Sequence, residues 1–337
     1  MQIRRLDPSD PEAMRAWHTA HTEAHVHGLQ HPSPRMLEEV RAELLSSRVG
    51  SRTEPFTGDV DGRVVTTGVL ELPLLDNLSQ ARVDVATPPA ERRRGHATAM
   101  LDHLTRLARS HGRDVLLAEA SWPYDAPTDG AGTPNADFLT ARGFRLSLGD
   151  VKRVLWLPVE DTLLDRLAAD AAPYHAGYVL RSWLGPVPED VIDRFGALVG
   201  RLITEAPAGE DQDFEPEVFD ATRIHDDEKV MAEAGRTKYT TIATAPDGTV
   251  VAYSEIGVPA FDPGTVFQWG TLVLPGHRGH RLGMATKVAN LRRLQEGEPD
   301  RDRVYTWNAE VNRHMIAVNE ALGFTPVQRL GEFVRRL

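Results

Sequence analysis

The sequence predicts an α/β (α+β) protein built from two copies of one domain. Each copy is a mixed, partly antiparallel twisted sheet with helices on both faces. Two observations predict it. Strand-like and helix-like segments alternate along the chain, and one set of landmarks occurs twice. Asp61-Gly62 followed by an apolar run from Val64 matches Asp247-Gly248 followed by a run from Val250. Arg94-Gly95-His96-Ala97 matches His280-Arg281-Leu282-Gly283, so that 64 pairs with 250 and 97 with 283, 186 residues on in each case. Gly143-Phe144 matches Gly323-Phe324 at 180. A period this long denotes tandem domains, not a solenoid, and 337 residues suit two of them.

The elements follow in order. The first domain, expected over residues 1–158, opens with a strand at 2–6. Helices run to about Leu45, with Ser33 and Pro34 as a start signal. Strands are expected at 62–73 and 81–87, the first entered through the Asp-Gly turn. A helix from about Gly95 to His111 carries Ala97, Met100, Leu101, Leu104, Leu107 and Ala108 on one face. A buried strand at 114–118 follows, then a helix stopped by Gly143, then closing strands over 144–157. Leu163, Leu164, Leu167 and Ala168 make 160–172 amphipathic, and this segment forms a linker helix within 159–175. The second domain, 176–337, restarts with a strand at 179–184, a helix at 188–203 and an acidic loop at 206–220. The order of the first half then repeats.

Composition excludes several classes. With 38 Lys+Arg against 49 Asp+Glu the formal charge is −11, which disfavours nucleic acid as a partner. No apolar run reaches the ~18 residues of a membrane span. The absence of cysteine and of an N-terminal apolar segment points to a cytoplasmic protein. No His/Asp/Glu spacing resembles a metal site. Against the acidic background, Arg92-Arg93-Arg94 forms a basic island suited to a small polyanion.

That island lies in a turn between a strand and a helix. A helix start leaves about four N–H groups unpaired and carries roughly half a positive charge, which makes it a phosphate site. The turn Arg92-Arg93-Arg94-Gly95-His96-Ala97 resembles the signature of the GCN5-related N-acetyltransferase (GNAT) superfamily, Gln/Arg-x-x-Gly-x-Gly/Ala. The second copy, Arg278-Gly279-His280-Arg281-Leu282-Gly283-Met284, keeps Arg278 and Gly283 but has Arg281 at the middle glycine. A helix's first turn accepts any L-residue, so Arg281 is expected to fit and to touch phosphate directly. The layout is similar to tandem acetyltransferases of actinobacterial type, the mycothiol synthases among them.

The resemblance implies acetyl-CoA as cofactor, with its pyrophosphate on these amides. It also implies a fold whose fourth and fifth strands splay, with pantetheine along Val85, Ala86 and Thr87 or Thr271, Leu272 and Val273. A second family signature is an Asn opening a helix, then a Tyr and Gly-Phe. Asn312 and Gly323-Phe324 match it, but Asn319 occupies the Tyr position that supplies the thiolate's proton. The first copy has Gly132 and Leu139 at these places. The second domain is therefore expected to be catalytic. Candidate bases are Glu255 and Glu310, and Tyr253 or Tyr305 could deliver the proton that Asn319 cannot. Trp183, Trp269, Trp307 and Tyr253 are candidates for an acceptor pocket. The implied acceptor is a primary amine of a small molecule or peptide. The alternative is an acyl-CoA-binding or regulatory protein with one or both copies inactive.

Overall fold

The structure is a computed structural model and describes residues 1–209 and 214–337. The expected acidic loop at 206–220 therefore lies partly outside the described residues. The protein is a mixed α/β structure with two compact units. The first is built mainly from Met1–Asp150 and Gln328–Leu337, the second from Val151–Ala208 and Phe214–Val327.

The first unit contains β1 (Gln2–Arg5), α1 (Pro11–Val26), α2 (Leu37–Leu45), β2 (Ser51–Val60), β3 (Arg63–Pro73), β4 (Gln80–Ala86), α3 (His96–Ser110), β5 (Val115–Pro123) and α4 (Pro134–Ala141). Asp61 and Gly62 both have positive φ, 50° and 78°, and close the β2–β3 hairpin. The strand at 51–60 was absent from the sequence expectation, because Pro55 and Gly58 punctuate its apolar pattern. The second helix starts at Leu37, three residues beyond Pro34. Met100, Leu101, Leu104 and Ala108 of α3 are buried against Leu70, Val83 and Leu116. Each such large apolar side chain contributes about 1.5–3 kcal/mol relative to exposure.

Next come β6 (Arg145–Trp156), α5 (Asp161–Ala171), β7 (Val179–Leu184), α6 (Ile192–Val199), α7 (Leu202–Glu205), α8 (Ala221–Glu233) and β8 (Arg236–Thr244). β9 (Val250–Pro259), β10 (Thr265–Val273), α9 (Leu282–Gly297), β11 (Arg303–Ala309), α10 (Arg313–Leu322) and β12 (Thr325–Arg336) complete the chain. The single helix expected at 188–203 is two, interrupted around Gly200, where an added Cβ would strike the Glu217 carbonyl at 2.1 Å. The expected linker segment is helical as α5 and packs on α9 within the second unit. Residues of β9 alternate between layers. Tyr253 enters the core with Phe195 of α6, and Ile256 enters the core with Val288 and Leu291 of α9.

Strand order is β1-β2-β3-β4-β5-β12 in the first unit and β6-β11-β10-β9-β8-β7 in the second. The contiguous domains 1–158 and 176–337 differ from these units in their closing strands. β12 runs antiparallel to β5 from the Gln328–Pro123 pair to the Arg336–Val115 pair, and residues 151–156 of β6 belong to the second unit. Apolar alternation identifies a strand but not the edge that it joins. Among the described residues no helix is long and apolar enough to cross a membrane.

Candidate active site

In both units two parallel strands begin paired and then part. β4 and β5 pair only at Gln80–Val115, Ala81–Leu116 and Arg82–Leu117. β10 and β11 pair only at Thr265–Arg303, Val266–Val304 and Phe267–Tyr305. Val85, Ala86 and Thr87, and likewise Thr271, Leu272 and Val273, lie beyond the point of parting.

The turns that follow share one backbone with two side chains exchanged. Arg93 and Gly95 are left-handed in the first, with φ 65° and 83°. Gly279 and Arg281 are left-handed in the second, with φ 87° and 51°. The expectation that any L-residue sits freely at 281 is thus corrected, because a left-handed L-residue costs about 1–2 kcal/mol. α3 begins at His96 and α9 at Leu282, and neither has a side-chain cap. By contrast, Asp10, Asp220 and Asn312 cap α1, α8 and α10. The first-turn N–H groups, around Ala97 and around Gly283 and Met284, are thereby left to an anion.

The signature arginines are fasteners. Arg92 donates from Nε to the Thr87 carbonyl (3.1 Å) and from Nη2 to the Ala24 carbonyl (3.3 Å). Arg278 donates from Nε to the Val273 carbonyl (3.4 Å) and pairs with Glu205 at 3.4 Å. Arg94 pairs with Glu91 at 2.8 Å. The Arg281 guanidinium donates to the Asp170 carbonyl (2.9 Å) and lies 4.2 Å from the Tyr174 ring centroid. Both contacts anchor the side chain on the segment before β7. His280 Nδ1 lies 2.8 Å from the Tyr174 carbonyl.

The two splayed strands differ. β4 pairs regularly with β3 from Arg82 to Ala86. β10 has a bulge, since Gln268 pairs with Ile256 but Thr271 pairs with Ser254. The Gln268 amide holds it by donating to the Glu255 carbonyl at 2.6 Å. Gly270 stands in the bulge, where an added Cβ would lie 2.5 Å from the Tyr253 hydroxyl. Burial, with Glu255 nearby, raises the Tyr253 pKa well above its usual value, so the hydroxyl keeps its proton. Glu255 faces Lys238 at 2.7 Å, and both are buried. Burial opposes the Lys238 charge, but Glu255, with Glu228 and Asp227 adding to it, outweighs burial and the pKa is raised.

Asn312 caps α10 by accepting from the Met315 N–H at 3.2 Å. Asn319 is fully buried and its Nδ2 donates to Asn308 Oδ1 at 2.5 Å, which engages one of its two N–H groups. Its Oδ1 has no hydrogen-bond partner among the described residues. Glu310 is exposed beyond the end of β11. In the first unit Gly132 donates its N–H to Asp137, and Leu139 is core. Trp183 packs in the core with Phe195, while Trp307 stacks on Phe267 with centroids 6.1 Å apart.

Sequence reasoning missed Lys238, Gly270 and the buried Lys287. The last would have been found by aligning the copies, since Lys287 stands where the first copy has Leu101. Burial pushes the Lys287 pKa down to about 7. It also missed His21 and His25, four apart on α1, which meet Asp84 of β4.

This arrangement is an acyltransferase fold. Over nearly its whole length the chain is similar to a tandem GNAT protein from the clavulanic acid biosynthesis pathway, solved without AcCoA. The identity is 28% over 99% of this chain and 98% of that one, with a TM-score of 0.80. A GCN5-related N-acetyltransferase from Sphaerobacter thermophilus shares the fold at 14% identity, covering 99% of this chain and 95% of that one, with a TM-score of 0.65. The glucosamine N-acetyltransferase region of a fungal multi-domain GH3 β-N-acetylglucosaminidase does so at 13% identity. It covers 98% of this chain and 38% of that one, again with a TM-score of 0.65. No family model and no curated protein matches the sequence. The chain shares the tandem GNAT fold of these structures, as its two turn signatures imply.

Proposed function

We propose that the second unit transfers an acetyl group from acetyl-CoA to a primary amine of a small molecule or peptide, by direct attack on the thioester. The observation that carries this reading is the bulge at Gly270, beside the parting of β10 and β11, which β4 lacks. Acetyl-CoA supplies the activated acetyl group. The residues present fit it. Space is open where a Cβ would stand at Gly276 and Gly279, and α9 starts without a side-chain cap. Amides from Gly279 to Met284 would hold the pyrophosphate, and Thr271, Leu272 and Val273 would bind pantetheine like an added strand.

The chain's own groups then divide the work. A backbone N–H of the bulge donates to the thioester carbonyl as its oxygen gains charge. Glu255, across the ladder from the bulge, takes the proton that the amine must lose, with Lys238 holding its carboxylate in place. The Tyr253 hydroxyl, beside Gly270, returns a proton to the departing thiolate. Asn319 orients Asn308 on β11 and gives no proton. The first unit, with the same turn but a regular β4, holds the nucleotide without turnover.

The test is thiol release from acetyl-CoA across a panel of amines, using the full chain and its Glu255→Gln variant. Amine-dependent release that collapses in the variant is expected. Binding of CoA with no release for any amine would replace this reading by that of an acyl-CoA-binding protein.

A further inference from the structure

The acyl-transfer reading leaves one cluster of the first unit unused. His21 and His25 lie one turn apart on α1, which packs on β3 and β4. Both meet Asp84, on the part of β4 that has left β5. Nε2 of His25 is 3.1 Å and Nε2 of His21 is 3.5 Å from the same oxygen, Asp84 Oδ2. One ligand atom from each of the three residues falls within 4.8 Å of the others.

The orientation of His21 decides what this cluster is. Its Nδ1 is 3.0 Å from the Thr67 hydroxyl, and that hydroxyl is 3.4 Å from the Ala86 carbonyl. A carbonyl can only accept, so a hydroxyl that donates to Ala86 can accept from Nδ1–H, the tautomer that frees Nε2 for a ligand. Nε2 then carries a lone pair and points it at a carboxylate oxygen. Stacking on Trp17, with centroids 4.4 Å apart and planes at 15°, fixes the ring plane. A lone pair facing a carboxylate at 3.5 Å is repulsive unless positive charge stands between them.

We infer that His21, His25 and Asp84 form a binding site for a divalent transition-metal ion, zinc being the best match. Two imidazoles and one carboxylate are a zinc donor set, with a fourth position left for water or a ligand. Bonds of about 2.0–2.2 Å in a tetrahedron place ligand atoms roughly 3.3–3.5 Å apart, and the two separations from Asp84 lie at or just under that. A ligating imidazole whose other nitrogen is held by a hydrogen bond is the usual arrangement at such centres. Asp84 matches Gly270 across the 186-residue offset. The site therefore stands where the other copy has its bulge.

The test is calorimetric titration of the chelator-treated full chain with zinc chloride, together with visible spectra after cobalt(II) addition. His25 and Asp84 are partly exposed, so His25→Ala and Asp84→Asn spare the core. One zinc per chain is expected, with binding weakened at least about tenfold in each variant. The cobalt spectrum should have tetrahedral intensity, and Asp84→Asn should lose it. No saturable binding by the wild type, or binding and spectra unchanged in both variants, would overturn the site.

Discussion

Gly95 and Arg281 occupy one place in the two copies, and both are left-handed, with φ 83° and 51°. Two residues earlier the exchange is reversed, with Arg93 at 65° and Gly279 at 87°. Each turn thus carries one strained arginine. The Arg281 side chain is anchored on Asp170 and Tyr174, whereas Arg93 is exposed. Arg93→Gly should stabilise the protein by about 0.5–1 kcal/mol, the relieved strain less the added freedom of the unfolded chain. Arg281→Gly should gain less, because it also loses those anchors. Urea midpoints of the two variants measure the difference.

Lys287 gives a pH signature. Its folded pKa of about 7 lies below the ordinary 10.5 because of burial. Between these values the unfolded chain binds more protons, so stability rises with pH. The penalty is complete below pH 7 and is gone above 10.5. Replacement by leucine, the residue at the matching Leu101, should stabilise the protein at pH 7 by on the order of 3 kcal/mol. That advantage should shrink as the pH rises to 10. Lys152, also lowered to about 7 by burial and by Arg303, leaves the variant a residual slope of the same sign. Thermal melts of both proteins from pH 6 to 10 would show it, and parallel curves would refute it.

Tyr253→Phe keeps the ring packed on Phe195, 5.6 Å away between centroids, and removes only the hydroxyl beside Gly270. Turnover should fall about 100-fold while KM for acetyl-CoA holds. Steady-state kinetics separate the two. A fall in affinity with turnover intact would give the hydroxyl a binding role instead.

The two turns also predict which half works. Arg278→Ala with Asn312→Ala loosens the end of β10 and uncaps α10, the cap alone contributing about 1 kcal/mol. Transfer should vanish in that variant, while Arg92→Ala should retain most of it. Assays on the intact chain decide, and the reverse pattern would move the active site to the first unit.

Much of this was readable from the residues. The constant offset gave the tandem copies, and Gly95 and Arg281 marked both helix starts to within one residue. Asn312 was legible as a cap because the chemistry of capping is local. What escaped depends on neighbours distant in sequence. That Glu255 faces Lys238 across the ladder cannot be read from either residue alone. The anchoring of Arg281 on Asp170 and Tyr174 likewise needs the folded chain. The pairing of Asn319 with Asn308 shows only once α10 and β11 are placed together. The bulge leaves no local mark beyond one glycine in a strand.

The pairing of β12 with β5 bears on how the chain is made. The part of β12 that pairs with β5, from Gln328 on, follows all of the second unit in the sequence, so synthesis delivers it last. Until then the first sheet ends at β5, with an open row of backbone donors and acceptors that other chains can join. Folding of the N-terminal half therefore finishes only after the C-terminal half has been translated. A ribosome that stalls anywhere in the second unit releases a first sheet with an unprotected edge.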